Sequence, residues 1–177
     1  DEVFEKMIKN AGMTMKMDTK LGRQQEPERD KLRDTAKRVT LARQKNYIEG
    51  RLGLIIDGTG KDYDKIEKQM RDLQQLGYES HMIFVNTSLD VALARNQKRD
   101  RTLPEPIVVK SWNAVQKNIG KFSQLFKNRF IILDNNDKDE DVIKDVFKRV
   151  RSLANKKVTN GIAKQWIANE LEMKRRV

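Results

Sequence analysis

Apolar residues recur along this chain at two spacings, and the alternation between them predicts its architecture. From Pro27 to about Gly50, Leu32, Ala36, Val39, Ala42 and Tyr47 fall at helical intervals. Proline near the start and glycine at the end fit the asymmetry of helix termini. Ile66, Met70, Leu73 and Leu76 mark an amphipathic helix over 62–76, stopped by Gly77. Val108, Ser111, Trp112, Val115 and Ile119 form another stripe. Further helical signals run over 139–154 (Val142, Ile143, Val146, Phe147, Val150) and 161–173 (Ile162, Trp166, Ile167). A short helix is expected over 2–11, and Ser88 is placed to cap one that carries Val91, Ala92 and Ala94. Residues 12–26 show no clear period.

Between these helices lie short continuous apolar runs: Leu52 to Ile56, closed by Asp57-Gly58; Met82 to Val85; and Phe130 to Leu133, closed by Asp134-Asn135-Asn136. Each predicts a strand buried on both faces. Strands alternating with helices of ten or more residues require crossover connections, so the expected class is α/β with a parallel sheet and crossover helices. Ligands of such sheets bind beyond the strand carboxyl ends. Here those ends are Asp57-Gly58-Thr59, Asn86-Thr87-Ser88 and Asp134-Asn135. No internal repeat is visible. A soft boundary near Ala154-Asn155-Lys156-Lys157 divides an α/β domain over 1–155 from a helical tail over 156–177.

Composition narrows the partner more than the fold. The 177 residues are 37% hydrophobic and 36% charged, enough for one packed domain under a heavily charged surface. No stretch of 18 apolar residues suggests a membrane span, and no charged-then-apolar leader opens the chain. With no cysteine, disulfides and thiolate metal sites are excluded, which is compatible with a reducing cytoplasm, that of a host if the source is viral. The 37 Lys and Arg outnumber 26 Asp and Glu, and a net charge of +11 spread along the chain attracts polyanions, nucleic acid foremost. The sequence opens at Asp1, without methionine and directly in a helical pattern, and so reads as though a preceding segment were absent.

The chemistry concentrates between residues 95 and 106, Arg-Asn-Gln-Lys-Arg-Asp-Arg-Thr-Leu-Pro-Glu-Pro. Arg95 and Arg99 are four apart and share a helix face, while Arg101 lies where Pro104 and Pro106 are expected to force the chain out of helix. Guanidinium forks at the mouth of a proline-ended segment suit a polyphosphate; the alternative is a solvated basic helix end. Phosphoryl transfer also needs a phosphate cradle, usually Gly-x-x-x-x-Gly-Lys-[Ser/Thr]. Gly58-Thr59-Gly60-Lys61 does not supply it, because Ile55 stands five before Gly60 and Asp62 follows Lys61. The single histidine, His81, cannot make a histidine-rich metal site and reads as structural.

Arg95-Asn96-Gln97-Lys98-Arg99, followed by Pro-x-x-Val at Pro106 to Val109, resembles the lid of the bacteriophage-type 5′-polynucleotide kinases, part of a wider group of P-loop kinases that includes the zeta toxins. Gly53-Leu54-Ile55-Ile56-Asp57-Gly58-Thr59 resembles the strand and acidic turn that precede that lid, and the helix with Ser111 and Trp112 also fits. The resemblance spans roughly residues 1 to 125 and implies a nucleotide-kinase-like P-loop NTPase fold, truncated before the first strand and phosphate loop. It implies transfer of the ATP γ-phosphoryl group, with Mg2+, to a hydroxyl, the favoured acceptor being a single-stranded nucleic-acid 5′-end. Asp1 would then be the general base, or a helix N-cap. Asp57 would hold a water on the metal, or serve as a turn former. Thr59 would position Asp57 or a phosphate, and Arg95 and Arg99 would close over the nucleotide phosphates; Arg101 has no clear counterpart in the family and joins them as a candidate phosphate contact on its place in the run alone. Phe4 departs from the family, which carries arginine there, and keeps open a small-molecule or nucleotide kinase. A basic nucleic-acid-binding or structural protein that retains the fold without catalysis is the third reading.

Overall fold

The computed structural model describes residues 2–137 and 140–176. Its elements are α1 Glu2–Asn10, α2 Lys20–Gln24, α3 Glu26–Glu49, α4 Tyr63–Gln75, β1 Met82–Asn86, α5 Leu89–Lys98, α6 Glu105–Phe126, β2 Phe130–Asp134, α7 Glu140–Ala154 and α8 Gly161–Arg175, with a 3₁₀ turn at Lys127–Arg129. They form two compact units: Asp1–Thr59 with Leu89–Trp112, and Gly60–Ser88 with Asn113–Val177. No described helix is long and apolar enough to cross a membrane.

The core of the first unit is Phe4, Ile8, Met13, Met17 and Ala36, with Leu32 and Leu103 packed against it. Phe4 and Ile8 stand four apart on α1, so one face carries both to α3. The stretch 12–26, aperiodic in sequence, contains α2, whose cap Thr19 accepts from the Gly22 amide at 3.1 Å. A Cβ at Gly22 would lie 2.2 Å from the Lys16 carbonyl oxygen, an approach only glycine admits. Arg29, 4% exposed, donates from Nη1 to the Gly22 carbonyl at 2.6 Å and staples the start of α3 to α2.

Leu52 to Ile56 corrects an expectation. The segment belongs to no strand, and Leu52, Ile55 and Ile56 are exposed, Ile55 at 97%. A strand exists only through ladder hydrogen bonds to a neighbour, and none of the described residues pairs with this run.

In the second unit β1 and β2 pair in parallel, Met82 opposite Phe130 through Asn86 opposite Asp134. The connection between them runs through α5 and α6, the kind of long crossover that a parallel pair requires. The α/β class and parallel pairing therefore stand, in a mostly helical molecule. Burial on both faces does not: Phe84 is buried, while Ile83 and Val85, pointing to the opposite face, are exposed. Phe84 packs with Met70, Phe122 and Phe126. Phe122, fully buried, has ring centroids 5.4 Å from Tyr63 and 6.4 Å from Phe84 in tilted geometry.

Two proline positions separate here. Pro104 precedes α6, but Pro106 is its second residue, where a missing N–H costs nothing. Tying α8 into its unit are the Asn160 cap, a 2.9 Å hydrogen bond from the Thr159 hydroxyl to Glu79, and Gly77. Gly77 has φ +93°, and a Cβ there would be 2.8 Å from the Ala163 nitrogen.

Candidate functional site

The arginine segment belongs to the first unit. Arg95 is half-buried on α5; Arg99 is exposed in the bend just past Lys98, its amide 3.4 Å from the Asn96 carbonyl. The loop that follows is moored twice. Asn96 folds back on it, donating from Nδ2 to the Leu103 carbonyl at 2.8 Å and accepting the Leu103 amide at 3.0 Å. The loop between α1 and α2 holds the other side. Lys16 and Thr102 form a parallel bridge, the Met17 amide donates to the Thr102 carbonyl at 3.2 Å, and Lys16 Nζ donates to the Arg99 carbonyl at 2.8 Å. The buried Thr102 hydroxyl donates to Asp18 Oδ1. That hydrogen bond, with one from the backbone amide of Asp18, holds the Asp18 carboxyl below the usual carboxylate range; Lys16 and Arg23 add to the effect.

Arg101 faces α1. Its Nε lies 3.4 Å from Glu5 Oε1, and its guanidinium stands 5.9 Å from the centroid of the Phe4 ring, which Arg33 also approaches at 5.2 Å. A carboxylate and an aromatic face thus fix Arg101 against α1. Phe4 itself is 4% exposed and belongs to the core.

Asp57 and Thr59 sit on the exposed irregular segment after Ile56. Among the described residues no group of three His, Cys, Asp or Glu could hold a metal. Asp1 lies outside the described residues. Lys138 and Asp139, part of the acidic run before α7, lie outside them too.

In the second unit, Asn118, 8% exposed, donates from Nδ2 to the carbonyls of Gly60 (3.0 Å) and Lys61 (3.1 Å). Asp62 caps α4, its carboxylate accepting from the Lys65 amide at 3.2 Å. An acid already occupies the helix N-terminus, where a phosphate loop would seat its anion. This agrees with the mismatch of Gly58 to Lys61 to a phosphate loop.

The strand carboxyl ends of this unit carry a polar network. Asn86 accepts the Asn135 amide on its carbonyl at 2.8 Å and Gln116 Nε2 on its side chain at 2.9 Å. Asp134 Oδ1 accepts from the Asn136 amide (3.0 Å) and Asn136 Nδ2 (2.7 Å), and Asn136 Oδ1 accepts the Ser88 amide at 2.6 Å. Sequence reasoning pointed to Asn86, Ser88 and Asp134 as an edge but missed Gln116. Gln116 follows Val115 of the apolar stripe, and helical spacing alone does not tell its neighbour.

Residues 20–159 match the zeta toxin family. No curated protein and no solved structure matches the chain.

Proposed function

Since the chain belongs to the zeta toxin family, whose members are P-loop and kinase-like, we propose that it serves an ATP-dependent phosphotransferase whose exposed, moored arginine loop supplies cations to the moving phosphoryl group. The observation that carries this reading is the loop itself. Arg99 is exposed, while the backbone on both sides of it is fixed by Lys16, Asn96 and Thr102. A cation held in place before reaction stabilises developing charge without reorganisation.

Within that reading, Arg95 and Arg99 contact the ATP phosphates and Arg101 anchors the loop through Glu5 and Phe4. Thr59 and Asp57 serve the turn near the phosphates, and Asp1 acts as the base on the acceptor hydroxyl. Magnesium, when it accompanies ATP, neutralises phosphate charge; Asp57 is the carboxylate expected to hold one of its waters. The net charge of +11 supports a polynucleotide 5′-end as acceptor. The buried Phe4, where the polynucleotide-end kinases carry arginine, favours the second reading, a nucleotide or other small hydroxyl acceptor.

The test is transfer from γ-labelled ATP by the full-length protein to a 5′-hydroxyl oligonucleotide and, separately, to free nucleotides. Arg99→Ala should lower kcat by about 10²-fold or more. Arg99→Lys should recover only part, because an ammonium cannot reproduce the guanidinium fork. Wild-type turnover in both variants would return the segment to a solvated helix end. Transfer to nucleotides but not to the oligonucleotide would assign the small acceptor.

A further inference from the structure

At the edge of the second unit opposite the strand carboxyl ends, a cleft of about 830 Å3 opens beside the first residues of β1 and β2. This volume lies within the range of small-molecule sites, roughly 300–1,000 Å3, and far exceeds what an inorganic anion fills. Tyr78, Phe130 and Leu153 line it, the Phe130 ring also packing against Phe84 in the core with centroids 6.0 Å apart. Its charged lining is Arg129, Arg149 and Lys156 against the single carboxylate of Glu79, which already accepts the Thr159 hydroxyl at 2.9 Å.

These three cations contrast with others on the flanking helices. On α4, Lys68 pairs with Asp72 at 2.7 Å and Arg71 with Glu67 at 2.5 Å; on α7, Lys144 and Lys148 pair with Asp141 and Asp145. Among the described residues, none of Arg129, Arg149 and Lys156 has a carboxylate within 4.0 Å. Cations near a helix end commonly face their own carbonyls, which would account for Lys156, just past α7, and for Arg129, on the 3₁₀ turn after α6. It does not account for Arg149, five residues before the end of α7. His81 reports the field inside the cleft: burial first, then repulsion from Arg129 and Lys156, holds its imidazole below the usual histidine range, with Glu79 opposing.

We propose that this cleft binds a nucleoside monophosphate group, with Arg129, Arg149 and Lys156 taking the phosphate and the ring of Tyr78 taking the base. The site is separate from the arginine loop and does not depend on the phosphotransfer reading. Guanidinium forks match phosphate oxygens, and aromatic faces stack on any base. The group could belong to a free nucleotide or to the phosphorylated end of a strand, which share this chemistry.

His81 is the only histidine in the sequence, so its imidazole proton resonance is a single local reporter. Adenosine 5′-monophosphate should shift it saturably and raise its titration midpoint, since a bound phosphate offsets the surrounding cations. A nucleotide held at the strand carboxyl ends would sit about 16 Å away, at roughly 3.3 Å per residue from His81 to Asn86, and would leave that midpoint unmoved. Inorganic phosphate should bind at least about tenfold more weakly. Arg129→Gln with Lys156→Gln should weaken the nucleotide by about tenfold or more, and the exposed Arg149→Gln should weaken it on its own, with far-UV circular dichroism unchanged. Tighter binding of a 5′-phosphorylated dinucleotide than of the mononucleotide identifies a strand end; weaker binding identifies a free nucleotide. An unmoved His81 resonance at millimolar nucleotide would overturn the proposal. So would equal affinity for inorganic phosphate, or undiminished binding by a folded Arg149→Gln protein.

Discussion

Replacing Asn96 by alanine should free the arginine loop without touching any arginine. The side chain makes two partly buried hydrogen bonds, both to the backbone of Leu103, at 2.8 and 3.0 Å. Each is worth about 0.5–1.5 kcal/mol net, so their joint loss costs about 1–3 kcal/mol. The Leu103 amide donates to the Asn96 side chain and is the proper probe: its hydrogen exchange should quicken by about 5- to 150-fold, since 1.4 kcal/mol is a factor of ten. Asn96→Asp separates the two bonds, because a carboxylate still accepts the Leu103 amide but cannot donate to the carbonyl. The exchange rate of that variant should fall between wild type and alanine. Turnover should drop in Asn96→Ala although Arg95 and Arg99 are intact, while Arg99→Ala should leave Leu103 exchange near wild type. Exchange in Asn96→Ala within about threefold of wild type would show that the asparagine does not hold the loop, because a cost below about 0.7 kcal/mol lies under the range for two bonds.

Acid should loosen the same mooring from the other side. The Asp18 carboxyl is held below its ordinary value chiefly by the Thr102 hydroxyl, so its contribution is full above the unfolded value, about 3.9, and is lost as pH falls through the lower folded value. Thr102→Val should therefore lose less stability than wild type between pH 5 and pH 2, measured by urea unfolding at each pH; equal losses would remove the hydroxyl as the cause. Gly77→Ala places a side chain at φ +93° and 2.8 Å from the Ala163 nitrogen, and should destabilise by about 2–4 kcal/mol from left-handed strain and overpacking together, read as a lowered urea midpoint. Trypsin should cut first at the exposed Lys156-Lys157 between α7 and α8. If 156–177 is only a tail it should then separate on a sizing column, whereas retention of the fragment would locate its docking at Gly77 and Glu79.

Several helices were legible because periodicity and punctuation agreed. Pro27 and Gly50 bracket α3 within a residue, and Gly77 closely follows α4. Helix α2 was not, since five residues are too few to display a period. The apolar run at Leu52 to Ile56 looked like Met82 to Val85, yet only the latter has a ladder partner; hydrophobicity reports a wish for burial, not the neighbour that satisfies it. At the site, the spacing of Arg95 and Arg99 is local and could be read directly. Their mooring could not, because Lys16 and Asp18 come from more than eighty residues upstream, joined to Arg99 and Thr102 through sequence separations of 83 and 84. The same holds for Asn118 and Gly60, 58 residues apart.

The chain passes between its two units three times, since Asp1–Thr59 must be joined by Leu89–Trp112, and Gly60–Ser88 by Asn113–Val177. Neither unit is therefore a contiguous stretch that a ribosome could release and let finish alone. At about 5–20 residues per second, the two halves of the first unit emerge several seconds apart, and Phe4 and Ile8 must wait for Leu103 before their core can close. Until then the Met13 to Met17 loop has no Thr102 to bridge. The nascent protein thus passes through a stage with an unfinished apolar surface, the stage at which chaperones engage a chain, and the arginine loop takes shape only with the closure that ends it.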